Sequence, residues 1–84
     1  MSIKVVYFAS LRENLGQGGE ELELPAGIAT LEALRSHLAD RGGQWGALNS
    51  TKNLRAAVNQ SMALGQTPVK DGDEVAFFPP VTGG

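Results

Sequence analysis

Hydrophobic positions fall into short alternating runs broken by glycine and proline, with one helical stripe between them. Residues 3–9, rich in Val, Ile, Tyr and Phe, predict a strand. Ile3, Val5 and Tyr7 share one face; Lys4, Val6 and Phe8 share the other. Apolar side chains on both sides predict a central strand, covered on one face and open to a partner on the other. Residues 10–15 predict a short helix with Ser10 as N-cap and Leu11 and Leu15 stacked four apart; Gly16 ends it and Gly18-Gly19 turns the chain. Residues 20–24 alternate, with Leu22 and Leu24 inward and Glu21 and Glu23 outward, as in a half-buried edge strand.

Residues 30–41 carry the one long helical pattern. Thr30 is placed as N-cap, Glu32 in the first turn and Arg41 near the last, with Gly42-Gly43 beyond. Leu31, Leu34 and Leu38 form the buried stripe. His37 falls about 90° from its middle, at roughly 100° per residue, and reads as a surface residue. Residues 44–53 read as a loop anchored by Trp45 and Leu48, the tryptophan packing rather than stacking on a ligand. Leu54, Ala56 and Val58 share a face of the next strand, and residues 59–61 turn into a short strand near 62–64. Asp71-Gly72 is a turn signal leading into a final apolar strand, residues 75–78.

The order strand, strand, helix, strand, short strand, strand is that of an α+β, β-grasp (ubiquitin-like) mixed sheet cradling one main helix. In it the first two strands are neighbours and the last lies parallel beside the first. No linker or repeat divides residues 1–84, so one domain is expected, with residues 79–84 as a flexible tail.

Composition narrows the chemistry. The chain has 84 residues, no cysteine, one histidine and a net charge of −2. That excludes disulfides, a thiol nucleophile, thiolate metal sites and any histidine-based site; no metal is expected. Without a basic cluster, no nucleic-acid surface is expected. The apolar start is too short for a signal peptide or membrane span, so a cytoplasmic protein with no membrane partner is the expectation.

The candidate chemistry lies at the end. Pro79 and Pro80 have no N–H for a ladder and stop the last strand. Val81, Thr82, Gly83 and Gly84 follow. Gly-Gly recurs at Gly18-Gly19 and Gly42-Gly43, so the dipeptide alone signals nothing. Its place after a strand and a Pro-Pro stop leaves two readings, a frayed end or a working carboxylate on Gly84. Two residues without a Cβ can thread a narrow channel. Six residues from Pro79 reach up to about 20 Å, enough to enter a partner's pocket.

Specific stretches bring in a resemblance. Val5-Val6-Tyr7-Phe8-Ala9 with Leu11-Arg12-Glu13, the helix start Thr30-Leu31-Glu32-Ala33-Leu34-Arg35, Ala56-Ala57-Val58-Asn59-Gln60 and the unbroken run from Asp71 to Gly84 resemble the small, sulfur-carrying subunits of molybdopterin synthase. The resemblance covers nearly the whole chain and is weakest over residues 43–53. It implies a protein that is not catalytic alone but is the sulfur-donating subunit of a sulfurtransferase in molybdenum cofactor biosynthesis. An E1-like activating enzyme would use ATP to adenylate Gly84, and a sulfur donor protein would convert it to a thiocarboxylate. The tail, Pro79, Pro80, Val81, Thr82 and Gly83 behind Gly84, would then enter the large synthase subunit, in a heterotetramer. There the sulfur would pass to cyclic pyranopterin monophosphate. No cofactor is bound by the chain itself.

For the partner interface the candidates are Phe77 and Phe78, which alternate to opposite faces, so one is core and the other available; periodicity does not decide which. Arg12 and Lys70 either border an apolar patch on the face away from the helix or are solvated charges. Three alternatives keep the fold and change the role: a carrier for thiamine synthesis or tRNA thiolation, a modifier conjugated to lysines, and an interaction module with an incidental tail.

Overall fold

The computed structural model describes residues 2–51 and 53–80. Its elements are strand β1 (Ile3–Tyr7), helix α1 (Ala9–Leu15), strand β2 (Gly19–Leu22), helix α2 (Leu31–Ala39), a 3-10 turn (Gly43–Gly46), helix α3 (Ala47–Ser50) and strands β3 (Arg55–Val58), β4 (Ser61–Ala63) and β5 (Glu74–Phe78). The five strands form one mixed sheet in the order β2-β1-β5-β3-β4. β1 is antiparallel to β2 and parallel to β5, and β3 is antiparallel to both β5 and β4. This is the mixed β-grasp sheet expected from the element order.

The parallel pairing puts Val5 beside Val75 and Tyr7 beside Phe77. Their inward side chains, with Ile3, are buried against Leu31, Leu34 and Leu38 of α2 and form the core with Leu11, Leu48, Ala56 and Val69. Thr30 caps α2 as predicted, its Oγ1 accepting from the Ala33 amide at 3.2 Å. The Leu31 and Glu32 amides, also without helical partners, donate to the Thr67 and Gly65 carbonyls. His37 is exposed on the solvent side.

Three local expectations are corrected. Ser10 is not an N-cap: α1 begins at Ala9, and Phe8 precedes it in extended conformation without a side-chain cap. The Leu11 and Arg12 amides donate to the Phe8 carbonyl, so a serine hydroxyl has no orphan amide to serve. Residues 43–50 are not loop but two short helical segments, too brief for periodicity to reveal. Trp45 and Leu48 do anchor them onto the core. The edge strand ends at Leu22, although Leu24 still packs on the core before Pro25.

Hairpin β3–β4 turns through Asn59 and Gln60, with φ of 51° and 70°, the left-handed pair of a two-residue turn suited to the strands' twist. The Asn59 side chain joins this hairpin to β5. Its Nδ2 donates to the buried Asp73 at 2.9 Å and its Oδ1 accepts from the Glu74 amide at 3.0 Å. Asp73 also accepts from the Lys70 amide at 3.0 Å, which fixes the turn feeding β5.

Candidate functional site

Strand β5 positions the site. It lies between β1 and β3, so its end is fixed on both sides. Phe77 is buried in the core, stacked on Tyr7 with ring centroids 6.4 Å apart. That corrects the placement of Phe77 at a partner interface: its parity aims it at α2. Phe78 has the opposite parity and is half-buried on the outward face. Pro79 and Pro80 follow outside any ladder, also half-buried. Val81, Thr82, Gly83 and Gly84 lie outside the described residues.

The outward face is apolar. Register sets Val6 beside Ala76, Ala76 beside Ala57 and Ala57 beside Met62, a row across four strands. Phe8 continues the outward side of β1, and its amide donates to the Phe77 carbonyl, so it lies level with Phe78. Among the described residues, Phe8, Met62 and Leu64 are the large hydrophobics left exposed, at 49%, 63% and 79%. Such a patch, next to the last described strand, makes this face the candidate docking surface. Arg12 and Lys70 do not flank it together. Arg12 lies one helical turn past Phe8, near where the chain leaves the sheet, whereas Lys70 precedes the other end of β5. Pro80 lines a groove of about 570 Å³ with Asn53, Leu54, Arg55, Met62, Ala63 and Leu64.

On the face toward α2 a polar clasp fixes edge strand β2. Tyr7 Oη donates to Glu20 Oε2 at 3.0 Å, and Arg41 grips both Glu20 oxygens at 2.8 and 3.0 Å while lying 4.5 Å over the Trp45 ring. Burial, then the charge and hydrogen bond of Glu20, push the Tyr7 phenol well above its ordinary value. Burial alone would raise the Glu20 carboxyl, but the hydrogen bonds from Arg41 and Tyr7 and the Arg41 charge outweigh it and hold it below the usual range. The only sequence signal for this clasp is an inward-facing tyrosine, whose hydroxyl needs a partner when buried. Among the described residues no three His, Asp or Glu side chains group as a metal site, and no helix is long and apolar enough to cross a membrane.

A mixed five-stranded β-grasp sheet packed on one main helix, with its last strand ending at Pro79-Pro80 beside an open apolar face, defines a ubiquitin-like fold. The chain belongs to the ThiS family, whose model matches residues 5–84. It is 48% identical over 82 residues to the molybdopterin synthase sulfur carrier subunit of Escherichia coli K12, covering 98% of this chain and 99% of that one. Among solved structures it resembles a putative molybdopterin converting factor subunit 1 from Pyrococcus furiosus (TM-score 0.78, 30% identity, 96% and 99% of the two chains). It also resembles a chain in the complex of subunits 1 and 2 of a molybdopterin-converting factor from Helicobacter pylori 26695 (TM-score 0.66, 25% identity, all of both chains).

Proposed function

We propose that this chain is the sulfur carrier subunit of a molybdopterin synthase, working in the cytoplasm. One observation carries the reading: the family match extends past β5 to Gly84, so the matched range includes the tail as well as the fold that precedes it. The near-full-length likeness to a sulfur carrier subunit supports the choice of pathway. The likeness to a chain in a two-subunit complex supports a large-subunit partner.

In this reading an E1-like enzyme binds ATP and the tail. A Gly84 carboxylate oxygen attacks the α-phosphorus, pyrophosphate leaves and an acyl-adenylate forms. A persulfide on the sulfur donor protein then attacks the acyl carbon; the C–S bond forms, AMP leaves with the bonding electrons, and a second donor thiol cleaves the resulting acyl disulfide, closing a disulfide on the donor and releasing the thiocarboxylate. Sulfur rides on backbone carbon, which a chain without cysteine requires. Pro79 and Pro80 stiffen the exit so that less entropy is lost on threading, and Val81, Thr82 and Gly83 occupy the passage into the large subunit. Phe78, Phe8, Val6 and Met62 form the docking face. Sulfur then passes to cyclic pyranopterin monophosphate, and the chain itself binds no cofactor.

Fragment mass spectrometry of the terminal peptide, after incubation with ATP, an activating enzyme and a sulfur source, tests the reading. Replacement of one oxygen by sulfur at Gly84 is expected; an unchanged Gly84 carboxylate with active enzymes would overturn it.

A further inference from the structure

The row of outward side chains nearest the tail contains a charge. Arg55 of β3 is in register with Phe78, and Phe78 is level with Phe8, so the three stand side by side across the open face. Leu64 follows the Ala56–Ala63 pair with the parity of Met62, which puts it beside Arg55 on the hairpin side. The row therefore runs Phe8, Phe78, Arg55, Leu64, and the row behind it is wholly apolar. Arg55 is exposed and forms no salt bridge among the described residues. The sheet's acidic side chains are engaged elsewhere. Glu74 lies 3.8 Å from Lys4 at the far end of β5, Glu20 is gripped by Arg41 on the α2 side, and Asp73 is buried against Asn59. Arg12 lies beyond Phe8, its Nε 3.2 Å from where a Cβ on Gly18 would stand, and so leaves the row itself to Arg55.

Position makes this charge consequential. Arg55 and Pro80 line one groove, with Met62 and Leu64, so a protein that takes in the tail covers Arg55 as it covers Phe78. A guanidinium carries five N–H donors and keeps its charge at any physiological pH. Covered by apolar surface it would lose its water with nothing in exchange, a penalty that opposes burial of the apolar side chains around it. The face closes favourably only against a surface that supplies an acceptor at this point, and a carboxylate matches the planar fork with two parallel hydrogen bonds.

We infer that Arg55 is a specificity determinant of the docking face, pairing with an Asp or Glu side chain of the large subunit that accepts the tail. Charge complementarity and continuity with the tail's exit select this occupant: the cation has no acid of its own chain within reach, and it shares its groove with Pro80. The aliphatic stem covers apolar surface between Phe78 and Leu64 while the fork meets the carboxylate. A large subunit with an apolar or basic residue at that point is rejected, because the guanidinium would be desolvated unpaired. The inference rests on the sulfur-carrier reading and adds to it the chemistry of the partner's surface.

Calorimetric titration of the chain's own large subunit with wild type, Arg55→Gln, Arg55→Leu and Arg55→Glu tests it. Binding is expected to weaken roughly tenfold or more in Arg55→Gln and Arg55→Leu, and further in Arg55→Glu, with unfolding midpoints unchanged. The leucine variant separates charge from packing: affinity equal to or above wild type would overturn the pairing and leave the carrier reading standing. Impaired loading by the activating enzyme, with large-subunit binding unaltered, would overturn it as well and assign Arg55 to the other partner. A wild-type chain that fails to bind the large subunit would overturn the carrier reading and this inference with it. If Arg55→Leu lowers the unfolding midpoint, Arg55→Gln carries the test, and unaltered binding in that variant counts against the inference.

Discussion

Phe77 and Phe78 are adjacent, chemically identical and opposite in consequence. Phe77 is buried against Tyr7 and α2, so Phe77→Ala should cost about 3–5 kcal/mol, a large part of a small domain's stability. Phe78→Ala opens no core cavity and should cost less, about 1–2 kcal/mol, while weakening association with the large subunit roughly tenfold or more. Urea midpoints and titration of the two variants check the contrast; equal stability losses would count against it. The Glu20 clasp gives a second prediction at this scale. Folding favours the carboxylate, so the folded pKa lies below the unfolded value of about 4.3. Its contribution is therefore fully present above that value and lost as pH falls through the lower folded one. Because the Arg41 side chain is one-third exposed, the pair is worth only about 1 kcal/mol. Wild type should exceed Glu20→Gln by that amount at neutral pH and converge with it in acid, measured as urea midpoints across the range.

Elements were legible where their cause is local. The stripe Leu31, Leu34, Leu38 and the Thr30 cap identify α2 because a helix that buries one face must repeat at 3.6 residues. The facing of β1 and β5 follows from alternation and the end of β5 from Pro79, whereas the strand expected over residues 3–9 stops at Tyr7 because α1 takes up Ala9. What could not be read has a non-local cause. The start of α1 is set by the Phe8 carbonyl rather than by Ser10, and the helical turns over residues 43–50 exist because Trp45 and Leu48 find the core. The choice between Phe77 and Phe78 depends on which face α2 covers, which alternation leaves open. The clasp joins residues as distant as Tyr7 and Arg41, and no spacing rule connects them. Gly19 shows the element scale at its most exacting. An added Cβ there would stand 2.8 Å from the Val5 carbonyl oxygen, a backbone atom that cannot move without opening the β1–β2 ladder. Gly19→Ala should therefore cost about 1–3 kcal/mol, and hydrogen exchange should show the loss concentrated in β1 and β2. Uniform loss of protection across the sheet would contradict that cause.

At the scale of the molecule, the carrier reading assigns stability and chemistry to separate parts of the chain. The core closes between Ile3 and Phe77, and the sheet that holds it ends at Phe78. In the carrier reading the reacting atom lies six residues beyond, so it can be altered without touching a packed residue. Deletion of Gly84, or extension by one residue past it, should abolish sulfur loading while changing the unfolding free energy by no more than a surface substitution does, about 0.5 kcal/mol. Loading by mass spectrometry and melting by calorimetry, made on the same samples, decide the matter together. Lost loading with an intact fold is what a tethered acyl centre requires. Retained loading would remove the chemistry from Gly84, and a large drop in stability would mean that the tail is part of the packed domain rather than its reach into a partner.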